Sequence, residues 1–303
     1  MQIIYIKHAD IDKEKWDRCI DQSANGLIYA HSFYLDAMSE NWDALVQNDY
    51  EAVMPLTWNK KFGIFYLYQP GFTQQLGIFG NNFWNENVIE SFLNMAFKCF
   101  PFVEINLNFG NIYKKATRQK CNLILPLNHF FEEIQKNFRK DFVKKTINSD
   151  LIYLPSNDFE DAILLFQKSN SKKISLSKNN YERFTQLCYL MSENGDLIVR
   201  KVTTKEGELL STAILFKDLK RIYYILSTTS EQGRKQQANY FLLYHVIKEF
   251  SERDLIFDFE GSEIQSIKSF FKKFGAVEQI YPFVRMNNLP FLQKQIKNLV
   301  DNL

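Results

Sequence analysis

The sequence is short of cysteine, and the cysteines it has are not arranged for chemistry. Cys19, Cys99, Cys121 and Cys188 are scattered, with no Cys-x-x-C pair and no ligand spacing to His8, His31, His129 or His245. That pattern argues for reduced thiols and against a zinc box or a disulfide framework. No apolar run approaches the ~18 residues needed to span a bilayer. The opening stretch MQIIYIKHADIDKEKW lacks the charged start and apolar core of a secretory signal, so a cytoplasmic protein is expected. Excess charge of one sign is missing too: 37 basic residues against 35 acidic ones leave a net charge of +2. This excludes general wrapping of nucleic acid but leaves room for a local basic patch. No Ser-His-Asp order, phosphate-binding P-loop or zinc motif occurs.

Aromatic residues are abundant, at 16% with 28 Phe and 15 Tyr, which predicts aromatic-lined clefts or interfaces. A chain of 303 residues exceeds what one core usually holds, so two domains are expected. The stretch Arg221–Ser262 organises the reading. Arg221–Ser227 reads as a strand, Ser227–Gln237 as a polar loop, Ala238–Phe250 as a helix, and Leu255–Phe259 as a short strand. The helix is apolar nearly all round, which demands partners on two sides. A loop opening into a helix beside a strand end is a common anion site in α/β proteins.

The first half predicts a strand at Ile3–Lys7, a helix at Ile11–Gln22, and a second helix at Phe33–Glu40 capped by Ser32. A three-strand meander follows at Trp42–Gln47, Glu51–Trp58 and Phe62–Tyr68, with a turn at Asn59-Lys60-Lys61. Gln69–Gly80 is too rich in Gly and Pro to be regular; beyond it come a helix at Val88–Phe100 and strands near Phe102–Asn108 and Asn122–Pro126. The second half follows the same order. A basic helical stretch, Phe130–Asn148, precedes a strand (Leu151–Leu154), two helices (Phe159–Ser169, Asn179–Asn194) and a meander (Asp196–Thr203, Glu208–Phe216, Arg221–Ser227). A helix over Glu263–Phe274 and a strand near Val277–Met286 close it. Expected boundaries are 1–130, 131–290, and a terminal helix over 291–303, where Leu292, Ile296, Leu299 and Leu303 share helical spacing.

Asp258 and Glu260 stand out as candidate acid/base residues, since strand alternation would put both carboxylates on one face. The competing reading is a plain strand end, with Ser262 and Gln265 forming a capping box for the next helix. Gln69, Gln74 and Gln75, with Tyr66, Tyr68 and Phe72, either line a substrate cleft or tie down their own loop. Arg139, Lys140, Lys144 and Lys145 suit a phosphate-bearing substrate or the acceptor end of a tRNA, or else form a solvated face. Lys268, Lys272 and Lys273 either border a cleft beside Glu260 or decorate an amphipathic helix. His245 reads as a core histidine.

The order strand, two helices, meander, helix and strand, run twice, resembles the FemAB family of tandem-GNAT aminoacyltransferases of peptidoglycan bridge synthesis. Asp258-Phe259-Glu260-Gly261-Ser262 is similar to that family's glycine-ended strand, and Phe270-Phe271-Lys272-Lys273-Phe274-Gly275 to its FK-x-x-FG helix end. In the first half, Tyr50–Leu56 and Lys61–Gly77 look like the opening domain of FemAB-like proteins. The resemblance implies an α/β (α+β) fold of two tandem GNAT-like domains, each a mixed, mostly antiparallel sheet flanked by helices. It implies an N-acyltransferase moving an acetyl or aminoacyl group to an amine in a cleft between the domains, with acyl-CoA or aminoacyl-tRNA as donor and no metal. Small molecules or cell-wall precursors are the implied substrates. The alternative is a catalytically silent module that binds a cell-wall precursor, a nucleotide sugar or a protein. The family's Gln/Arg-x-x-Gly-x-Gly/Ala phosphate loop is only partly kept: in Gly233-Arg234-Lys235-Gln236-Gln237-Ala238 only Ala238 fits. Arg234, Lys235 and Gln236 are the cofactor-binding candidates, the first two through charge.

Overall fold

The computed structural model describes residues 2–81, 85–170, 176–261, 263–291 and 293–294. The chain divides into two compact units, Met1–Lys120 with Ile280–Leu303, and Cys121–Gln279. The terminal helix expected over 291–303 lies, apart from Phe291, Gln293 and Lys294, outside the described residues, as does Ser262 of the expected capping box.

In the first unit the elements are β1 (Ile3–Ile6), α1 (Lys13–Gln22), α2 (Ser32–Met38), β2 (Asn41–Gln47), β3 (Ala52–Lys61), β4 (Ile64–Leu67), β5 (Phe79–Gly80), α3 (Glu86–Cys99) and β6 (Phe102–Asn106). β1, β2, β3 and β4 pair antiparallel in that order, and β4 lies parallel to β6. The far edge of β6 is covered antiparallel by Phe283–Asn287, a strand almost two hundred residues later. Asp12 caps α1 by accepting from the Lys15 N–H at 3.1 Å, and Trp16, Cys19 and Ile20 turn inward at helical spacing. α3 lays Ile89, Phe92, Leu93 and Ala96 onto Leu45, Met54, Leu56 and Val103 of the sheet.

Two local expectations are corrected here. Ser32 does not cap α2, because its N–H and hydroxyl both donate to Asp17, at 2.7 and 2.6 Å, and His31 takes the cap position. The turn expected at Asn59-Lys60-Lys61 sits instead at Phe62 and Gly63, with φ of 51° and 81°. Two successive positive φ values match the twist of a two-residue hairpin, so β3 runs on to Lys61.

The second unit contains β7 (Arg118–Pro126, from Cys121 onward), α4 (Phe131–Gln135), α5 (Lys140–Ile147), β8 (Ile152–Ser156), α6 (Phe159–Asn170) and α7 (Lys178–Glu193). There follow β9 (Leu197–Thr203), β10 (Leu209–Lys217), β11 (Arg221–Thr229), α8 (Glu231–Lys235), α9 (Ala238–Phe250), β12 (Ile256–Asp258) and α10 (Gln265–Lys272), before β13 (Val277–Asn287). β8 to β11 form the antiparallel meander, β11 runs parallel to β12, and β12 is flanked antiparallel by β7. Each unit therefore has the two helices, meander, helix and strand that the sequence predicts twice.

The basic stretch 130–148 is two helices rather than one. Phe138 is buried between them, and the Arg139 N–H bonds the Lys273 carbonyl at 2.9 Å. Gly275, at φ +75°, ends the segment after α10 where a Cβ would lie 2.7 Å from Asn137 Cβ. The FK-x-x-FG stretch thus packs α10 onto the α4–α5 pair. α9 is buried along nearly its whole length, as its composition requires. The sheet covers one side. On the other, Phe142 and Phe274 stack on Tyr240 at 4.6 and 4.4 Å, and Phe131 meets Tyr244 at 5.1 Å. Such pairs are worth about 0.5–1.5 kcal/mol each beyond their area.

Candidate functional site

In the second unit the parallel junction is short and opens. β11 and β12 pair only at Arg221↔Ile256, Ile222↔Phe257 and Tyr223↔Asp258. The chain then swings away from β11, because Glu260 and Gly261 both take positive φ, 61° and 49°. Gly261 fits there only without a side chain, since a Cβ would lie 2.6 Å from the Cys121 carbonyl oxygen. Along Tyr224–Thr229, among the described residues, the only strand pairing is with β10. The side of that stretch away from β10 has no partner strand, with α6 packed against β11 nearby. Burial pushes the Tyr224 hydroxyl up to about 12, partly offset by its bond to Ser227, so it stays a neutral donor here.

A buried ion pair fixes the closed end of this gap between β11 and β12. The Arg221 guanidinium donates to Asp258 Oδ2 at 2.9 Å and to Gln279 Oε1 at 3.2 Å, with Arg221 and Asp258 only 3% and 1% exposed. Asp258 Oδ1 accepts from Asn122 Nδ2 and from the Glu260 N–H, each at 2.9 Å. Burial works against the Arg221 charge, but Asp258, with Tyr223 and Asp218, more than offsets it and its affinity for the proton rises. Asp258 is therefore a structural anion with both oxygens engaged, and the expected two-carboxylate face does not form. β12 ends at Asp258, and the left-handed turn at Glu260 breaks the alternation that would have aligned the two. Glu260 is half-buried at the mouth of the gap. Arg221, Asn122 and Gln279 were not singled out from sequence. An Arg and an Asp inside two apolar strands were the available signal.

The loop expected over Ser227–Gln237 is largely regular. β11 runs to Thr229, Ser230 caps the short α8 by accepting from the Gly233 N–H at 3.0 Å, and Gln237 takes a left-handed φ of 59° before α9. Gly233 packs so closely on β10 that a Cβ would lie 2.3 Å from the Leu210 oxygen, so it is a packing glycine rather than part of a phosphate cradle. The Arg234 side chain donates to the Thr229 carbonyl at 2.7 Å, and Lys235 pairs with Glu231 at 3.2 Å. Gln236 is exposed at the end of α8. These three sit together, one turn before the start of α9, which no side chain caps. The arrangement fits phosphate oxygens as a helix end with two neighbouring cations, not as a glycine loop.

The remaining candidates are dispersed. Lys272 and Lys268 both hold Glu278, at 2.5 and 3.0 Å, and keep its carboxyl down at about 2. Burial, then Glu278, pushes the neighbouring Cys121 thiol up, so it is not a ready nucleophile. Lys144 lines a separate groove against α4 and α5. In the first unit, Gln69 accepts from the Asn106 N–H at 3.0 Å and donates to the Thr73 carbonyl at 3.0 Å. Gln75 is fully buried, bonded to Gln74 at 2.5 Å and to the Phe109 N–H at 2.8 Å. Those amides tie Gln69–Gly80 across the parallel β4–β6 junction, which Leu76 extends by bridging Leu107. Among the described residues no group of three His, Cys, Asp or Glu side chains is placed to hold a metal ion. None of the described helices is long and apolar enough to cross a membrane.

Residues 156–265, which hold the open junction, match the family described as the Acetyltransferase (GNAT) domain. That stretch is thus similar to GNAT acetyltransferase domains, and the fold around it is FemX-like. The whole GNAT-like architecture is similar to the crystal structure of FemX, with a TM-score of 0.68 at 13% identity over 97% of this chain and 99% of that one. A Bacteroides thetaiotaomicron protein of unknown function gives 0.59 at 10% identity, over 91% and 97%. Saccharomyces cerevisiae N-myristoyltransferase with bound myristoyl-CoA gives 0.50 at 12%, over 94% and 79%. No curated protein matches the sequence.

Proposed function

We propose that the protein transfers an acyl group from acyl-CoA to an amine at the gap between β11 and β12. The observation that carries this reading is that the GNAT junction is open in the second unit, whereas the corresponding junction of the first is closed by Gln69–Gly80. An extended donor arm can add to the free edge at Tyr224–Thr229 by backbone hydrogen bonds. The start of α9, with Arg234 and Lys235 beside it and Gln236 at its approach, would hold the donor's phosphates. The donor supplies an already activated acyl group. The chain's task is to position the amine and remove its proton.

Glu260 is the residue for that proton. It stands at the mouth of the gap, while Asp258 behind it is locked by Arg221 and Asn122. Removing Arg221 or Asn122 would loosen the Glu260 turn, so they act as positioning residues. The acceptor that the resemblance suggests is the amine of a cell-wall precursor; Lys272, paired with Glu278, would serve it only by exchanging that partner. The missing glycine loop favours a second reading, in which aminoacyl-tRNA replaces acyl-CoA as donor. Thermal denaturation with millimolar acetyl-CoA tests the choice. A clear rise in Tm is expected from binding to the native state alone. No rise removes acyl-CoA, and a rise with aminoacyl-tRNA alone would install the second reading.

A further inference from the structure

We propose a second binding site, independent of the acyl-transfer gap: the groove of about 540 Å³ against α4 and α5 docks the protein on a bilayer of anionic lipid. Its lining combines Lys136, Lys140 and Lys144 with Phe138, Val143 and Ile147, and contains no carboxylate. The three ammonium groups are exposed, and none makes an ion pair among the described residues. The acidic side chains nearby are directed elsewhere, Asp141 to Arg139 at 2.7 Å and Glu133 to His129 at 3.7 Å, and Glu132 does not line the groove. In a chain of net charge +2, three unpaired cations around one apolar groove are a local departure from balance.

The apolar part of the groove decides between anions. Ile147 is 67% exposed on the last turn of α5, and Phe130, 61% exposed, precedes α4. Apolar side chains that stand out beside lysines suit acyl chains under phosphate headgroups. A single-stranded nucleic acid would call for exposed aromatic faces or free guanidinium forks to stack its bases. Among the described residues, the one aromatic that lines the groove, Phe138, is 3% exposed, and Arg139 beside it is held by Asp141. Lysine ammonium groups, as point charges on flexible stems, tolerate the variable headgroup positions of a bilayer.

Co-sedimentation of the full chain with phosphatidylglycerol-containing vesicles tests the site, with pure phosphatidylcholine vesicles as reference. Binding is expected only with phosphatidylglycerol and should weaken at high salt. Each lysine replaced by glutamine is expected to weaken it about five-fold, so K136Q/K140Q/K144Q loses about a hundred-fold. The corresponding triple arginine variant keeps it, and Ile147→Asp weakens it with the lysines intact. Far-UV circular dichroism and Tm, unchanged in these surface variants, separate loss of binding from loss of fold. The proposal is overturned if the protein ignores phosphatidylglycerol vesicles or if the triple glutamine variant binds them as before. It is equally overturned if that variant loses binding to tRNA while vesicle binding is untouched. None of these outcomes depends on acyl transfer, which has its own assay.

Discussion

The two units place the same parallel junction in opposite states. In the first, β4 and β6 pair at Tyr66↔Phe102 and Leu67↔Val103, and the chain then plugs the opening with its own amides. The plug is tightly built: the Ile78 carbonyl accepts from Asn25, Asn108 and Asn111, at 2.9, 2.9 and 2.8 Å. In the second, no strand pairs with β11 beyond Tyr223↔Asp258 on that side among the described residues, and the buried Arg221–Asp258 pair, with Asn122 bonded to it, sits at the closed end. The difference teaches that buried polar networks here serve geometry. One network shuts a cleft by satisfying an irregular loop, and the other holds a strand end so that the cleft remains open.

The comparison can be broken most severely at the ion pair. Asp258→Ala should cost about 3–5 kcal/mol in urea denaturation, because it strands a buried guanidinium. If the pair acts as a unit, Arg221→Met with Asp258→Leu should lose less than either single variant. Glu260→Gln should slow acyl transfer by about 10²–10⁴-fold at saturating substrate with Tm unchanged, separating the proton acceptor from the structural anion next to it. In the plugged unit, Asn111→Ala removes its bonds to both the N–H and the carbonyl of Ile78, each 2.8 Å. A loss of about 1–3 kcal/mol is expected, with acetyl-CoA affinity of the folded protein unaltered. The smallest effect is a pH dependence in the core of the second unit. Burial, aided by Lys248, lowers the His245 pKa from 6.5. A folded value below the unfolded one means the stabilising neutral ring is fully present above pH 6.5, and stability declines as pH falls below it. His245→Phe should flatten that acid-side slope in thermal melts.

Much of this was legible in the residues. The element order followed from apolar periodicity, and the all-round apolar α9 announced its burial on both sides. The plugged opening was half legible, since Gln69, Gln74 and Gln75 signal either a cleft or a tied-down loop and sequence carries no distance to Asn106 or Phe109. Long-range pairings were not legible. That Phe283–Asn287 completes the sheet beside β6, and that β7 flanks β12, depends on contacts far apart in the chain. The left-handed turn at Glu260 was also hidden, because glutamate rarely takes positive φ and alternation is the default reading of such a strand. It separates the two carboxylates that the pattern would have paired. α8 escaped notice because its five residues are polar and lack apolar periodicity.

Amide hydrogen exchange of the full chain with and without saturating acetyl-CoA tests the central claim most directly, because it reports where the donor sits. Slower exchange is predicted along Leu226–Thr229 and through the first turns of α9, with the Gln69–Gly80 segment unaffected. Protection confined to the first unit, or none at saturating donor, would contradict the assignment of the open junction as the acyl-donor site.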